Sequence, residues 1–340
     1  MGQSVDGVPP AAVSGPVPRR RLRGSGTMRV VVQKDKNRAH GRVLSRGVVA
    51  AVAAASVLAG CGQADPADGS EAHPAPGRQQ RLEAPAARAL DSYATELRAA
   101  HRARVAAARR WGLRRVPLTP PAPPAKKPRI TTREGFEVDD HEELGLPPVF
   151  TTVPTGRRVV FLTIDDGAEK DPAFLRMMSE LKVPYTAFLS DYLVRKDYGY
   201  FARMQARGVT LSNHTLHHPY LPGMSYARQK REICGMQDVI ERHYGKRPAL
   251  FRPPFGDYDQ ATLRAAKACG IKYAPLWDEE VFVDRWEYRE WDRDLHPGDI
   301  VLSHFRGRRH WKGTMPDMIR RFLNKVTEKG YAVARLEDYL

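Results

Sequence analysis

The sequence predicts an α/β architecture: a distorted (β/α) barrel of about seven parallel strands over residues 148–340, preceded by a disordered and partly helical N-terminal tether. Three observations carry this. After about Pro147 short apolar runs alternate with helical stretches, the pattern of strands joined by crossover helices. Runs such as Val159-Val160-Phe161-Leu162 are continuous, as suits strands buried on both faces. Residues suited to chemistry fall just past the ends of these runs, where parallel barrels build their sites.

Taken in order, the first 60 residues read as an address. From Met28 the chain passes Arg29, Lys34, Lys36, Arg38, Arg42 and Arg46, then an apolar run from Val48 to Ala59. That is the tripartite pattern of an export signal, and the run is shorter than the roughly 20 residues a bilayer span needs. Residues 1–27 lack apolar periodicity and suit an over-extended start, with Met28 the true one. The ending Leu58-Ala59-Gly60-Cys61 resembles a bacterial lipobox. It implies cleavage before Cys61 and a lipid on that cysteine, holding the chain to the outer face of the cell membrane; without it the protein would be secreted. A buried alanine-rich helix is the structural alternative.

Export also decides what the formal charge of +16 is for. A pI near 9.9 would suggest nucleic acid, but an exported chain meets anionic envelope polymers and lipid headgroups instead, so nucleic acid is excluded as partner. Residues 61–81 have no apolar period and read as a flexible tether. Residues 82–115 carry Leu90, Ala94, Leu97, Ala100, Ala108 and Trp111 near helical spacing, among Arg98, Arg102, Arg104, Arg109 and Arg110. This basic helix either lies on an anionic surface or, more simply, is a solvated spacer. Residues 116–147, proline-dense from Thr119 to Pro128, read as a stiff linker.

In the domain itself strands are expected at Arg158–Ile164, Tyr185–Leu189, Val209–Ser212, Ala249–Phe251, Ile271–Leu276, Ile300–Ser303 and Tyr331–Ala334. Helices are expected near Pro172–Leu181, Tyr198–Ala206, Ser225–Tyr244, Asp259–Ala268 and Pro316–Lys329. Cys234 lies in one of them and Cys269 at the end of another. An oxidising compartment allows them to pair, which would add about 3 to 4 kcal/mol; two small buried helix residues are the other reading.

Three segments carry the chemistry: Thr163-Ile164-Asp165-Asp166-Gly167, Asn213-His214-Thr215-Leu216-His217-His218-Pro219 and Phe251-Arg252-Pro253-Pro254-Phe255-Gly256. A carboxylate and two imidazoles bind a borderline-soft ion and leave a position open for water. One of the adjacent aspartates can bind metal while the other takes a proton. His214 and His218 are four apart, and Pro219 favours a loop there. Arg252 beside Asp165 would orient that carboxylate and keep it ionised. His304, in Leu302-Ser303-His304, follows the sixth strand. Taken singly, Asp-Asp-Gly is a turn and a lone histidine a core residue.

These segments resemble the polysaccharide deacetylase family, the NodB-homology hydrolases of carbohydrate esterase family four, over roughly residues 148–340. The resemblance implies a NodB-like barrel in which Asp166, His214 and His218 hold a divalent metal, zinc foremost, with cobalt, nickel or iron possible occupants. It makes Asp165 the base, Arg252 its partner, the Phe255 N–H an oxyanion donor, His304 the acid that protonates the departing amine, and Leu302 a wall of the acetyl pocket. Trp277, Trp286, Trp291 and Trp311 could stack on sugar rings or pack the core. Two departures stand out: Ile164 replaces an aromatic, and the motif that tunes the acid is not recognisable in Trp277–Trp286, leaving Asp278 or Asp284 to serve. The implied activity is removal of N-acetyl groups from amino sugars of peptidoglycan or another cell-wall or extracellular polysaccharide by a monomer. An O-acetyl carbohydrate esterase and a non-catalytic glycan-binding lipoprotein are the alternatives.

Overall fold

The computed structural model describes residues 85–340, with side chains from Leu90 onward; the export signal, Cys61 and the 61–81 tether lie outside the described residues. In chain order, helix α1 (Pro85–Arg110) precedes strands β1 (Val149–Phe150) and β2 (Val159–Asp166). Then follow α2 (Pro172–Leu181), β3 (Thr186–Leu189), α3 (Asp191–Val194), α4 (Tyr198–Gln205) and β4 (Thr210–Asn213). The second half contains α5 (Tyr226–Tyr244), α6 (Gln260–Ala268), β5 (Ala274–Pro275), β6 (Glu279–Val281), β7 (Trp286–Tyr288), β8 (Ile300–His304), α7 (Met315–Glu328) and β9 (Ala332–Ala334).

All eight residues of β2 are buried, as its unbroken apolar run demands. It pairs in parallel with β3 through its C-terminal half, with β9 through its N-terminal half, and with β8. β4 continues beyond β3, and the bridges Asn213–Phe251 and Leu250–Tyr273 carry the sheet onward. The segment 274–281 then pairs with β1 at one end and β8 at the other. The seven expected strand positions are all used in parallel. The barrel is distorted because residues 249–251 contribute only single bridges and β9 shares β2 with β3. The antiparallel β6–β7 hairpin is an addition the sequence pattern did not suggest.

Register fixes which side chains meet. Thr163 lies opposite Leu302 and Asp165 opposite His304, and opposed residues share a face. Val160, Leu162 and Ile164 point the other way, into a core with Met178, Leu181, Ile319 and Phe322 from α2 and α7. Val159 and Phe161 join Phe150, Phe188, Ile300 and Tyr339 in a second cluster. The side of β2 that bears Thr163 and Asp165 therefore changes from apolar to polar toward its C-terminal end.

Two expectations fail at the front of the domain. α1 is not a free spacer: Ala107 and Ala108 are buried in the main core, and Trp111 Nε1 donates to Glu180 Oε2 at 2.7 Å. The alanine methyl is too short to hold the helix off α2, so the backbones come close. Only the early turns stand free, with Leu90, Tyr93 and Leu97 exposed. Nor are residues 116–147 a linker. Leu118 bridges to Ala332, Leu146 is buried, and Arg133 Nη1 donates to Asp278 Oδ1 at 2.7 Å. The prolines hold an extended segment against the barrel rather than away from it. Cys234 of α5 and Cys269 after α6 form a disulfide, with Cα atoms 5.0 Å apart. No helix among the described residues is long and apolar enough to cross a membrane.

Candidate active site

Successive side chains of a strand point to opposite faces, so Asp165 and Asp166 should diverge. Asp166 instead adopts φ 79°, and both carboxylates reach one mouth: Asp165 Oδ2 and Asp166 Oδ1 each lie 3.7 Å from His214 Nε2. Gly167 follows at φ 85°, where a Cβ would stand 2.5 Å from Val194 Cγ1. Only glycine completes this turn.

The histidines sit on a curled turn after β4. Thr215 and His218 adopt φ 70° and 57°, held by the Thr215 N–H donating to Asn213 Oδ1 at 2.9 Å and the His218 N–H to Thr215 Oγ1 at 3.0 Å. His214 Nδ1 lies 2.7 Å from the Arg252 carbonyl, which fixes the proton there and leaves Nε2 with its lone pair in the site. His218 Nε2 is 3.5 Å from Asp166 Oδ1. His217, between them, turns away to Glu232. With Phe255 at φ 64°, four non-glycine residues of left-handed backbone gather here; strain of this kind concentrates at working sites.

Asp166, His214 and His218 bring one donor atom each within 4.8 Å of one another. Burial, foremost, lowers both imidazoles to about 4, so they are neutral at pH 7. Burial would raise Asp166, but the charges of the neighbouring His304 and Arg306 oppose it, and the carboxyl lies below its usual range. Two neutral imidazoles and one ionised carboxylate are the donor set of a catalytic zinc-type ion, so the residues fit the metal the motifs imply.

Arg252 is wholly buried and every contact it makes is specific. Nη1 donates to Asp165 Oδ1 and Thr163 Oγ1, Nε to the Pro275 carbonyl and Nη2 to the Leu276 carbonyl, all at 2.9 Å. The guanidinium also lies 4.4 Å from the Phe188 ring centre. Burial drives Asp165 up to about 6 despite the opposing charges of Arg252 and His304. Its free oxygen, Oδ2, is the one that faces the histidines.

His304 Nδ1 lies 3.0 Å from Glu280 Oε1. Neither aspartate suggested by the sequence tunes it. Asp278 is spent on Arg133 at 2.7 Å, and Asp284 is an exposed partner of Arg285. A second residue missed from sequence is Arg306, whose Nη2 donates to Asp166 Oδ2 at 2.6 Å, leaving Oδ1 for the histidine side. Strand parity was an available signal for Arg306, two residues past His304, whereas Glu280 meets the acid through a pairing with Leu302 that nothing local in the sequence announces.

The remaining candidates divide. Leu302 is buried and shares the face of Thr163 and His304. Phe255 is 61% exposed with its ring edge against His218, centroids 4.6 Å apart. Trp277 is half-buried, packed against two core clusters and 5.6 Å from the Arg252 guanidinium. Trp286 stacks on Phe322 and Trp311 meets Phe282 edge-on, while Trp291 is exposed.

A family model described as polysaccharide deacetylase matches residues 152–274. An uncharacterized protein of Streptomyces coelicolor is 43% identical over 199 residues, which are 57% of this chain and 78% of that protein. The peptidoglycan-N-acetylmuramic acid deacetylase PdaC of Bacillus subtilis is 29% identical over 210 residues, 58% of this chain and 42% of PdaC, so the chain spans less than half of that relative. A crystal structure of a peptidoglycan N-acetylglucosamine deacetylase superposes with TM-score 0.52 at 21% identity, covering 60% of this chain and 97% of that one, which is agreement of fold. On the family match, the relative covered over most of its length, and the site the motifs build, the chain belongs to the polysaccharide deacetylase family.

Proposed function

We propose that the chain hydrolyses the N-acetyl group of an amino sugar in peptidoglycan, releasing acetate. We propose that it does so as a monomer with zinc at Asp166, His214 and His218, exported and held to the membrane through a lipid on Cys61. One observation carries the reaction: beside a single donor set stand a carboxylate and an imidazole, each with its own fixed partner, Arg252 for Asp165 and Glu280 for His304. Relatives named for N-acetylmuramic acid and N-acetylglucosamine deacetylation support the substrate class.

A dication held there supplies Lewis acidity and lowers the pKa of a water. Asp165 takes the proton of the attacking water through Oδ2, because Oδ1 is engaged by Arg252. The Phe255 N–H donates to the developing oxyanion, and Leu302 bounds the acetyl methyl. His304 then protonates the nitrogen as the bond to the acetyl carbon breaks. Amide hydrolysis needs this acid because an amine anion is a very poor leaving group. Glu280 holds the ring and stabilises its charged form.

The test uses the full chain, stripped of metal, reloaded with zinc, and assayed for acetate from peptidoglycan and chitooligosaccharides. Zinc-restored release that His214→Ala abolishes is expected. Full metal loading with no acetate from any N-acetylated glycan would overturn the reading.

A further inference from the structure

We propose that Glu279, Asp299 and His296 form a second divalent-cation site, structural rather than catalytic, on the outer side of the strands that carry the acid pair. Glu280 faces His304 in the barrel, so its neighbour Glu279 faces outward. Asp299 stands just before β8 and His296 in the loop before it. One donor atom from each of the three lies within 4.8 Å of the others.

The carboxylates are the compelling feature. Glu279 is 1% exposed and Asp299 0%, and Glu279 Oε2 and Asp299 Oδ1 have no hydrogen-bond partner among the described residues. Two carboxylates this close and out of water cannot both stay charged without compensation. Lys325 is the nearby cation, but its ammonium sits over the rings of Trp286 and Tyr288, 5.6 and 4.9 Å from their centres. What remains is a shared proton, a protonated His296, whose pKa Asp299 and Asp292 raise against the effect of burial, or a bound cation.

The setting of His296 favours the cation. Its Nε2 lies 3.0 Å from Asp292 Oδ2, which places the ring proton there, and its Nδ1 lies 3.4 Å from Asp299 Oδ2. A carboxylate behind an imidazole that presents its free nitrogen to two buried carboxylates is the arrangement that supports a metal-binding histidine. The half-exposed ring is also the entry path. Two carboxylates and one imidazole suit manganese or zinc better than calcium, which prefers oxygen throughout.

The test loads the stripped full chain with Mn²⁺ or Zn²⁺ and reads metal content and thermal unfolding. We expect two equivalents in the wild type, one in His214→Ala, and in His214→Ala a metal-dependent rise in Tm of several degrees. That rise should vanish in His214→Ala with His296→Ala, a half-exposed position chosen because its loss leaves the buried pair in place; Glu279→Gln should likewise remove one equivalent. A single equivalent in the wild type, none in His214→Ala, and no Tm response would overturn the proposal and assign a proton, on the pair or on His296, in place of the cation.

Discussion

Glu280 Oε1 stands 3.0 Å from His304 Nδ1 because β6 and β8 run parallel with Glu280 opposite Leu302, which puts acid and partner on one face. Burial by itself would lower His304, but the Glu280 hydrogen bond and the charges of Asp166 and Asp165 outweigh it and raise the pKa. A general acid works only while protonated, so activity should fall as pH rises through this value. Glu280→Gln removes the nearest negative charge. We expect its alkaline limb to move to lower pH and kcat to drop about tenfold or more. An unmoved limb in the pH–rate profile would take the acid's role away from His304.

Asp165, as the proposed base, should set the opposite limb. Burial raises it to about 6, and a base works only while deprotonated, so the rate should fall as pH drops through its pKa. A dication next to it would draw that value down. Asp165→Asn should cost about 10²- to 10⁴-fold in kcat while zinc content stays at the wild-type level. Metal lost together with activity would make Asp165 a ligand instead.

Arg252 has a structural consequence as well. Replacing it by Met leaves Asp165 buried without its partner and two strand-end carbonyls without a donor. The loss of one member of a buried pair costs about 3 to 5 kcal/mol. Chemical denaturation should therefore show Arg252→Met far less stable at pH 8 than the wild type. Below pH 5, where Asp165 becomes neutral, the gap should narrow. A pH-independent gap would mean the guanidinium acts only through its carbonyl bonds.

The site's frame was legible because its residues lie in short segments at strand ends. Asp165, Asp166, His214, His218, Arg252 and His304 all occupy one mouth, as their spacing implied. Glu280 was not legible, since its meeting with His304 is a matter of register between two strands, and Trp277-Asp278-Glu279-Glu280 offers three acids with nothing local to choose among them. The convergence of Asp165 and Asp166 was likewise hidden, because it rests on a left-handed backbone at Asp166 that no side chain announces. For α1, arginine-rich helices look alike whether solvated or docked. The alanines that let its last turns approach α2 read as helix formers, not as contact residues.

The Cys234–Cys269 bridge closes a loop of sequence separation 35 between α5 and α6. Constraining the unfolded chain over that length is worth about 4 kcal/mol in the loop-entropy view. Replacing both by serine should lower the unfolding free energy by about 2 to 4 kcal/mol and leave kcat of the folded fraction near wild type, since neither cysteine touches the site. Reduction should give the same shift in the wild type and none in the variant. A kcat loss that exceeds the unfolded fraction would mean that the helix pair positions the histidine turn.

The last turn of α1 and its exposed first turns should respond differently to substitution. Trp111 donates to Glu180, lies under Arg176 at 5.4 Å, and its carbonyl accepts from Arg320 Nε at 2.8 Å. It ties three elements together although it is only half-buried. Trp111→Ala should cost about 2 kcal/mol, below the value for a core tryptophan because part of the ring faces water. Leu90→Ala, 67% exposed, should stay within about 0.5 kcal/mol of wild type. Urea midpoints of the two variants decide between a docked helix end and a spacer: equal, negligible shifts would return α1 to the status of a solvated spacer, whereas a loss confined to Trp111 means that the catalytic unit begins within α1, and that chains truncated after Trp111 fold less stably than those keeping the whole helix.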